Sequence, residues 1–493
     1  MSQRNAEIRI AVLSDNGIER DARILKEIAW LESRFERIDS FSLRQRGERA
    51  LDEKLLGHTR FRGAEKVMSK GQARAALAGI PSLRPGRPPE ITGRRALIAL
   101  VFFIVVSICL GLASVLGSLP VWPVWVSILL TAIAAMIAGW VRLREAQLTR
   151  MTEVSPKTGA SMPILEPYSS HYKQAHALME LVETAIREEG PYDIIHTHEL
   201  VALETGARIK RRHGGKLIWD THEIYEDMAV PDPGLAAVAR KVIREATPDI
   251  DAVITVNDSI GAYYRETHPG LPPAEIIMNA TPRREAPVDD GRLRKATGLD
   301  PETRIVLFQG GLTIHRGLQA LVRSAAEYRD GWALVILGDG VLKAELTGIA
   351  DQVNRDAGMQ RVFFLPGVPN AELEQWTAGA DLGVIPYENV ALNHWYCSPN
   401  KLWEYPAAGV PFIAPRHHFI AHLVDRYGTG FLFESDFDAS DIAATVNGIG
   451  KAELEQARQA IPRFLDEMSW EAFTPRLGAV YDRLLSAPSS NRE

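Results

Sequence analysis

The sequence predicts an α/β protein of two doubly wound domains, each a parallel sheet covered by helices, with a helical hairpin inserted into the first. Three observations carry this. Short β-branched runs alternate with helical patterns in two separate series. One long segment between the early strands and the rest of the first series carries no charge. Polar residues and glycines gather where the strands end, as they do when open parallel sheets bind ligands beyond the carboxyl ends of their strands.

The first series opens with the strand EIRIAVLSD. The helix RDARILKEIAWL follows, with Ile24, Leu25, Ile28 and Leu31 on one face, and then the strand RIDSFSL. After an interruption the pattern resumes with a long helix over 169–189, the strands YDIIHTH, KLIWDTH and DAVITVND with helices between them, and EIIMNA. The polar stretch 281–303 reads as a linker. The second series runs RIVLFQGG, WALVILGDG, RVFFLPG, DLGVIPY and VPFIAP, again with intervening helices, and helices over about 438–485 close the chain. The expected organisation is an N-terminal domain of 1–43 and 160–280, an insertion of 44–159, the linker, a C-terminal domain of 304–470, and a final helix and tail of 471–493.

Inside the insertion, Ala96 to Val141 contain no Asp, Glu, Lys, Arg or His. A bilayer span takes roughly 20 apolar residues, so the run fits two helices, about 96–118 and 122–141. GSLPVWPVW between them supplies two helix-breaking prolines and two interfacial tryptophans. Arg84, Arg87, Arg94 and Arg95 precede the run and Arg142 and Arg144 follow it, which predicts both ends, and both domains, on the cytoplasmic side of the cytoplasmic membrane.

Hydrophobic and charged fractions of 46% and 24% are those of globular chains, so 493 residues can bury two or three cores. A net charge of −6 argues against a dedicated nucleic-acid binder. Two cysteines, Cys109 and Cys397, argue against a disulfide framework and fit a reducing compartment. The opening MSQRNAEIRIAVLSD is not patterned as a secretory leader.

Along the first rim lie Asp15-Asn16-Gly17, His196-Thr-His198-Glu199, Asp220-Thr-His222-Glu223 and Asn257-Asp258. Along the second lie Gly310-Gly311, His315-Arg316-Gly317, Gly338-Asp-Gly340, Gly367, Glu388-Asn389 and Ser398 to Glu404. Gly310 and Gly311 let the backbone approach a ligand. Arg316 at a helix start and Lys401 suit a diphosphate. Glu404 is an acceptor for ribose hydroxyls, and Ser398 or Asn400 is placed to cap the helix after it. His198 and His222, each followed by Glu, are either histidines satisfied by carboxylates or polar contacts for a reacting sugar or acceptor. No HExxH spacing is present and no Asp-x-Asp follows an apolar strand to hold a metal on a diphosphate, and P-loop, GxGxxG and GxSxG patterns are absent.

These residues resemble the retaining glycosyltransferases of family 4, whose GT-B fold pairs two facing Rossmann-like domains. The resemblance covers about 7–43 and 160–485 and rests on FQGGLTIHRGL, VILGDG, FLPGV and SPNKLWEYPAAGVPFIA in that order, with Asp21-Ala-Arg23, HTHE and DTHE in the first half. It implies that Arg316 and Lys401 hold the donor diphosphate and that Glu404 binds the ribose. Gly367 and Val368 would lie against the base, with Gly338 and Gly340 near it. His198 would face the transferred sugar, with Asn16, Gly17, His222 and Glu223 on the acceptor side. It further implies no metal and no cofactor beyond the nucleotide-sugar donor, and a lipid-linked or glycan acceptor at the membrane. Many members carry two glutamates eight positions apart. Glu404 matches the second, and Tyr396 stands at the first. A nucleotide-sugar epimerase, a glycogen-type phosphorylase or a non-catalytic scaffold on the same fold are the alternatives. No pyridoxal-anchoring lysine is evident for the phosphorylase.

Overall fold

A computed structural model describes residues 7–15, 21–44, 59–65, 166–230 and 232–486. All of them belong to one compact unit, formed from 1–73 and 164–493. The hairpin expected at 96–118 and 122–141 lies outside the described residues, as does the end of the tail. Among the described residues no helix is long and apolar enough to cross a membrane.

The chain begins β1 (Arg9–Ser14), α1 (Ala22–Glu32), β2 (Arg37–Arg44), β3 (Arg60–Glu65), and continues α2 (Glu166–Glu189), β4 (Ile194–His198), α3 (Glu199–His213), β5 (Lys216–Thr221), α4 (Pro233–Ala246), β6 (Ile250–Thr255), α5 (Asp258–Thr267) and β7 (Ala274–Ile276). These strands form one parallel sheet in the order β3-β2-β1-β4-β5-β6-β7. After α6 (Arg292–Thr297) come β8 (Arg304–Gln309), α7 (Leu318–Ser324), β9 (Trp332–Leu337), α8 (Lys343–Ala357), β10 (Val362–Leu365), α9 (Asn370–Thr377), β11 (Leu382–Val384), α10 (Leu392–Trp395), α11 (Lys401–Ala407), β12 (Phe412–Pro415), α12 (His418–Tyr427) and β13 (Gly430–Phe433). Their sheet runs β10-β9-β8-β11-β12-β13. Helices α13 (Ala439–Gly448), α14 (Lys451–Met468) and α15 (Trp470–Ser486) end the chain.

Both sheets reverse direction beside their first strand, between β1 and β4 and between β8 and β11. Such a switch point opens a crevice at the carboxyl ends of the strands. The central strands are continuous apolar runs because helices cover both faces; every residue of β1 and β9 is buried. The Asp21 carboxylate starts α1 by accepting from the N–H groups of Arg23 (3.0 Å) and Ile24 (3.2 Å).

Two strands are absent from the sequence reading. β3, RFRGAE, falls in the stretch read as insertion. It lacks a β-branched residue and is held at the sheet edge partly by charge, Arg60 Nε lying 2.9 Å from Asp39. β13, GFLF, extends the second sheet by four residues beyond VPFIAP.

One apolar cluster is continuous across the two sheets. It joins Ile10, Ile28 and Ile218 of the first domain to Leu307, Trp403 and Phe412 of the second through Trp470, Leu477 and Tyr481 of α15. On the crevice side, α10 hooks onto the first domain. The Ile224 N–H donates to Asn393 Oδ1 (2.8 Å), and Asn257 Nδ2 donates to the Tyr396 carbonyl (2.8 Å).

Candidate active site

At the carboxyl end of the second sheet lies a cavity of about 370 Å³. Gly310, Gly311, Gly338, Gly367, Val368, Asn400, Lys401 and Glu404, all expected at the site, line it. Two of these positions need glycine for close approach. Gly338 lies under the Gly310 carbonyl, where an added Cβ would sit 2.0 Å from the oxygen, and Gly310 itself has φ +120°. Gly340 does not line the cavity. It lets the loop after β9 pack on Leu312, whose carbonyl oxygen a Cβ would meet at 2.4 Å.

Lys401, at the first turn of α11, is 5.4 Å from the Phe308 ring centre and 5.7 Å from that of Tyr387. The Arg316 guanidinium stacks on the other ring contact of that wall, 4.0 Å above Tyr387. Neither cation has an acidic partner among the described residues. Arg316 is outside the cavity lining itself, and Tyr387 connects it to the wall. Glu404, one turn after Lys401, accepts from Gln309 Nε2 (3.0 Å), and the Thr377 hydroxyl donates to Gln309 Oε1 (2.6 Å). Gln309 is buried, so this relay fixes the carboxylate's position.

The capping expectation for α11 is corrected. Asn400 is at the N-cap position but already has helical φ and ψ (−52°, −30°), so its side chain makes no cap hydrogen bond and lines the cavity instead. The Ser398 hydroxyl is buried with no hydrogen-bond partner among the described residues and is not part of the cavity lining. Leu402, Trp403 and Ala407 are buried on the opposite face of α11.

The first rim is a buried charge network. Alternation along β4 and β5 turns His196, His198 and Asp220 to the face covered by α1. Arg23 binds both oxygens of Asp220, at 2.7 and 3.0 Å, and lies 3.3 Å from Glu27. His198 is fully buried, 3.3 Å from Glu27, with its Nδ1 3.4 Å from His222 Nε2. The structure therefore puts His198 inside this network, and it does not line the cavity of the second sheet. His222 Nδ1 meets Glu199 at 2.9 Å, and Glu199 also accepts from the Tyr225 hydroxyl (2.6 Å). Glu199 holds φ +70°, a left-handed conformation that is costly for this residue. Asn16 and Gly17 lie outside the described residues.

Burial works against charge on His222, but Asp220 and Glu199 outweigh it and raise its pKa well above the ordinary value. Burial, then Glu199, pushes the Glu223 carboxyl up to about 7, against the pull of His222 and of Arg316 from the opposite rim. Glu223 and Arg316 thus feel each other across the crevice.

Several residues of the site were missed in the sequence. Gln309, Leu337, Asp339, Asn370, Leu373 and Tyr387 complete the cavity wall. Asp339 accepts from the Gly367 N–H (2.7 Å) and pairs with Lys343, tying the two glycine loops together. Arg23 and Asp220 stood in quoted motifs without a role. Glu27 had a readable signal: a carboxylate four residues after Arg23, on the apolar face of α1.

Residues 303–450 match the family model described as Glycosyl transferases group 1, and residues 126–280 match that of the Glycosyl transferase 4-like domain. A D-inositol 3-phosphate glycosyltransferase 1 of Catenulispora acidiphila is 24% identical over 335 residues, covering 62% of this chain and 75% of the relative. A D-inositol 3-phosphate glycosyltransferase of Acidothermus cellulolyticus is 27% identical over 301 residues, 54% and 61% of the two chains. Among solved structures, the sucrose-phosphate synthase of Thermosynechococcus elongatus shares the fold with a TM-score of 0.62 at 15% identity, covering 97% of this chain and 100% of the other. Anabaena HepE in complex with UDP does so with a TM-score of 0.59 at 14% identity, again covering 97% and 100%.

Proposed function

The chain is a nucleotide-sugar-dependent glycosyltransferase of the group 1, GT4-like family with a GT-B fold, and on that premise we propose a specific reaction and place for it. It moves a hexosyl group from a nucleoside diphosphate to a hydroxyl of a lipid-linked or growing glycan acceptor at the cytoplasmic face of a membrane, with retention at the anomeric carbon.

The observation that carries the donor assignment is the pair Arg316 and Lys401. Both cations flank Tyr387 at a glycine-floored cavity and lack acidic partners among the described residues. A diphosphate between them completes their charge. As the glycosidic bond breaks, negative charge grows on the leaving phosphate, and two fixed cations stabilise that charge more than they stabilise the intact donor. Glu404, held by Gln309, accepts from the ribose hydroxyls. Gly367 and Val368 border the base. Because Glu404 is committed to that role and Tyr396 stands at the other family glutamate position, no cavity carboxylate is assigned as a nucleophile. The acceptor hydroxyl attacks on the face the diphosphate leaves, and the leaving phosphate takes its proton. The reaction uses no cofactor and no metal.

The uncharged run from Ala96 to Val141 supports the membrane part of the reading, since two spans keep the crevice beside an acceptor confined to the bilayer surface. A second reading of the acceptor comes from the relatives, which are named for D-inositol 3-phosphate: a soluble cyclitol phosphate. A screen of nucleotide sugars, starting with the uridine diphosphate series that neighbouring structures contain, tests the donor. Turnover with a polyprenyl-linked acceptor but not with inositol phosphate supports the first acceptor reading, and the reverse result supports the second.

A further inference from the structure

We propose that Glu27, His196, His198 and Asp220 form a buried structural site for a divalent zinc-type cation, separate from the donor cavity and independent of the reaction assigned above. One ligand atom from each of the four lies within 4.8 Å of the others, and all four side chains are buried.

The first argument is the unsatisfied atoms. Both Glu27 oxygens and the Nε2 atoms of His196 and His198 are buried without a hydrogen-bond partner among the described residues. Glu27 Oε2 and the two Nε2 atoms face one another. Buried polar groups left without partners are costly, and three converging ones call for a shared partner.

The second argument is spacing. Glu27 Oε2 is 3.3 Å from His198 Nε2 and 3.8 Å from His196 Nε2, and Asp220 Oδ2 is 3.8 Å from His196 Nε2. Hydrogen bonds between such groups run at roughly 2.7–3.2 Å. Ligand atoms around a tetrahedral ion, with arms of about 2.0–2.1 Å, stand roughly 3.3–3.5 Å apart. The Glu27–His198 separation matches such an edge, and all three separations are longer than a hydrogen bond.

The third is the outer shell. His196 Nδ1 is 2.8 Å from the Tyr481 hydroxyl, which leaves Nε2 to face inward, and His198 Nδ1 lies 3.6 Å from Asp220 and 3.4 Å from His222. Metal-binding imidazoles are oriented in this way through their second nitrogen. Arg23 does not block the site, because its Nε lies toward Glu27 Oε1 and leaves Oε2 to the imidazoles. Asp220, which also binds Arg23, is the weakest ligand of the four. The carboxylates of Glu27 and Asp220 share one guanidinium, that of Arg23, which leaves one negative charge for a bound cation to offset. Two imidazoles with carboxylate oxygens are a zinc-type donor set. Such an ion pins α1, β4, β5 and, through Tyr481, α15 together.

The test uses the untagged full chain, stripped with chelator and titrated with zinc chloride. The expected result is one tightly bound equivalent per chain. Zinc-edge X-ray absorption should show two imidazoles with carboxylate oxygen. Glu27→Gln and His198→Asn should each weaken zinc binding at least tenfold, while His213→Asn, at the separate surface pair with Glu183, leaves it unchanged. No stoichiometric zinc, fewer than two imidazoles in the shell, or unaltered affinity in the Glu27 and His198 variants overturns the proposal. The absorption spectrum of the unaltered chain decides even if the variants do not fold.

Discussion

At the scale of single residues, cations outside any ion pair mark the proposed donor side. Lys401 and Arg316 rest on aromatic rings and form no ion pair among the described residues, whereas many cations elsewhere in the fold are paired. Lys401→Ala should lower kcat/KM for the sugar donor at least tenfold, about 1.4 kcal/mol of transition-state stabilisation. Circular dichroism should be unchanged, because Lys401 fills no core position. Glu223 gives a pH signature. Burial, then Glu199, raises its folded pKa to about 7, while an unfolded glutamate titrates near about 4.3. Its contribution to stability is therefore present in full below the unfolded pKa and disappears as pH rises through 7. Thermal melts between pH 5 and 8 should fall with pH in the parent chain and fall less in Glu223→Gln. Equal slopes in the two chains would contradict the assignment.

At the scale of elements, function sits where strands stop. Gly310 follows β8, Gly338 follows β9, and Gly367 lies in the turn after β10, so the cavity floor is backbone. Gly338→Ala, with its Cβ 2.0 Å from the Gly310 oxygen, should cost about 1–3 kcal/mol of stability through overpacking and abolish measurable donor binding. Tyr481→Phe should be felt at the other end of the fold. It leaves the buried His196 Nδ1 without its partner, a cost of about 1–3 kcal/mol readable as a lower melting temperature. The elements that shape the donor cavity were legible in sequence because each strand is a β-branched run stopped by glycine. β3 was not, because arginine, glycine and ion pairs hold it rather than an apolar pattern. The position of α15 was equally hidden. Its apolar face predicts burial, but only tertiary packing decides that it returns to the first sheet beside His196.

At the scale of the whole molecule, two sheets of the same winding each have a switch point, and α10 and α15 hold the two domains together across the crevice and behind it. Much of the cavity of the second sheet was readable, since its glycines, Lys401 and Glu404 stand at strand ends and a helix start, whereas Gln309, Asn370, Leu373 and Tyr387 were not. The first rim was only half readable. Its histidines announced themselves at strand ends, but the Glu27 carboxylate that faces them comes from a helix far away in sequence, and the burial of His198 follows from packing alone. Deleting residues 84–150 should move the protein from the membrane pellet to the supernatant, and continued sedimentation with membranes would contradict the anchoring role proposed for the apolar run. The central claim is that the cavity between Gly310 and Lys401 holds a sugar-nucleotide diphosphate. Calorimetric titration of the parent chain and of Lys401→Ala with uridine diphosphate sugars and other nucleotide sugars tests it most directly. The account predicts saturable binding of at least one sugar nucleotide by the parent chain, weakened tenfold or more in the variant. Equal affinity in both chains, or no binding of any sugar nucleotide by the parent, would contradict it.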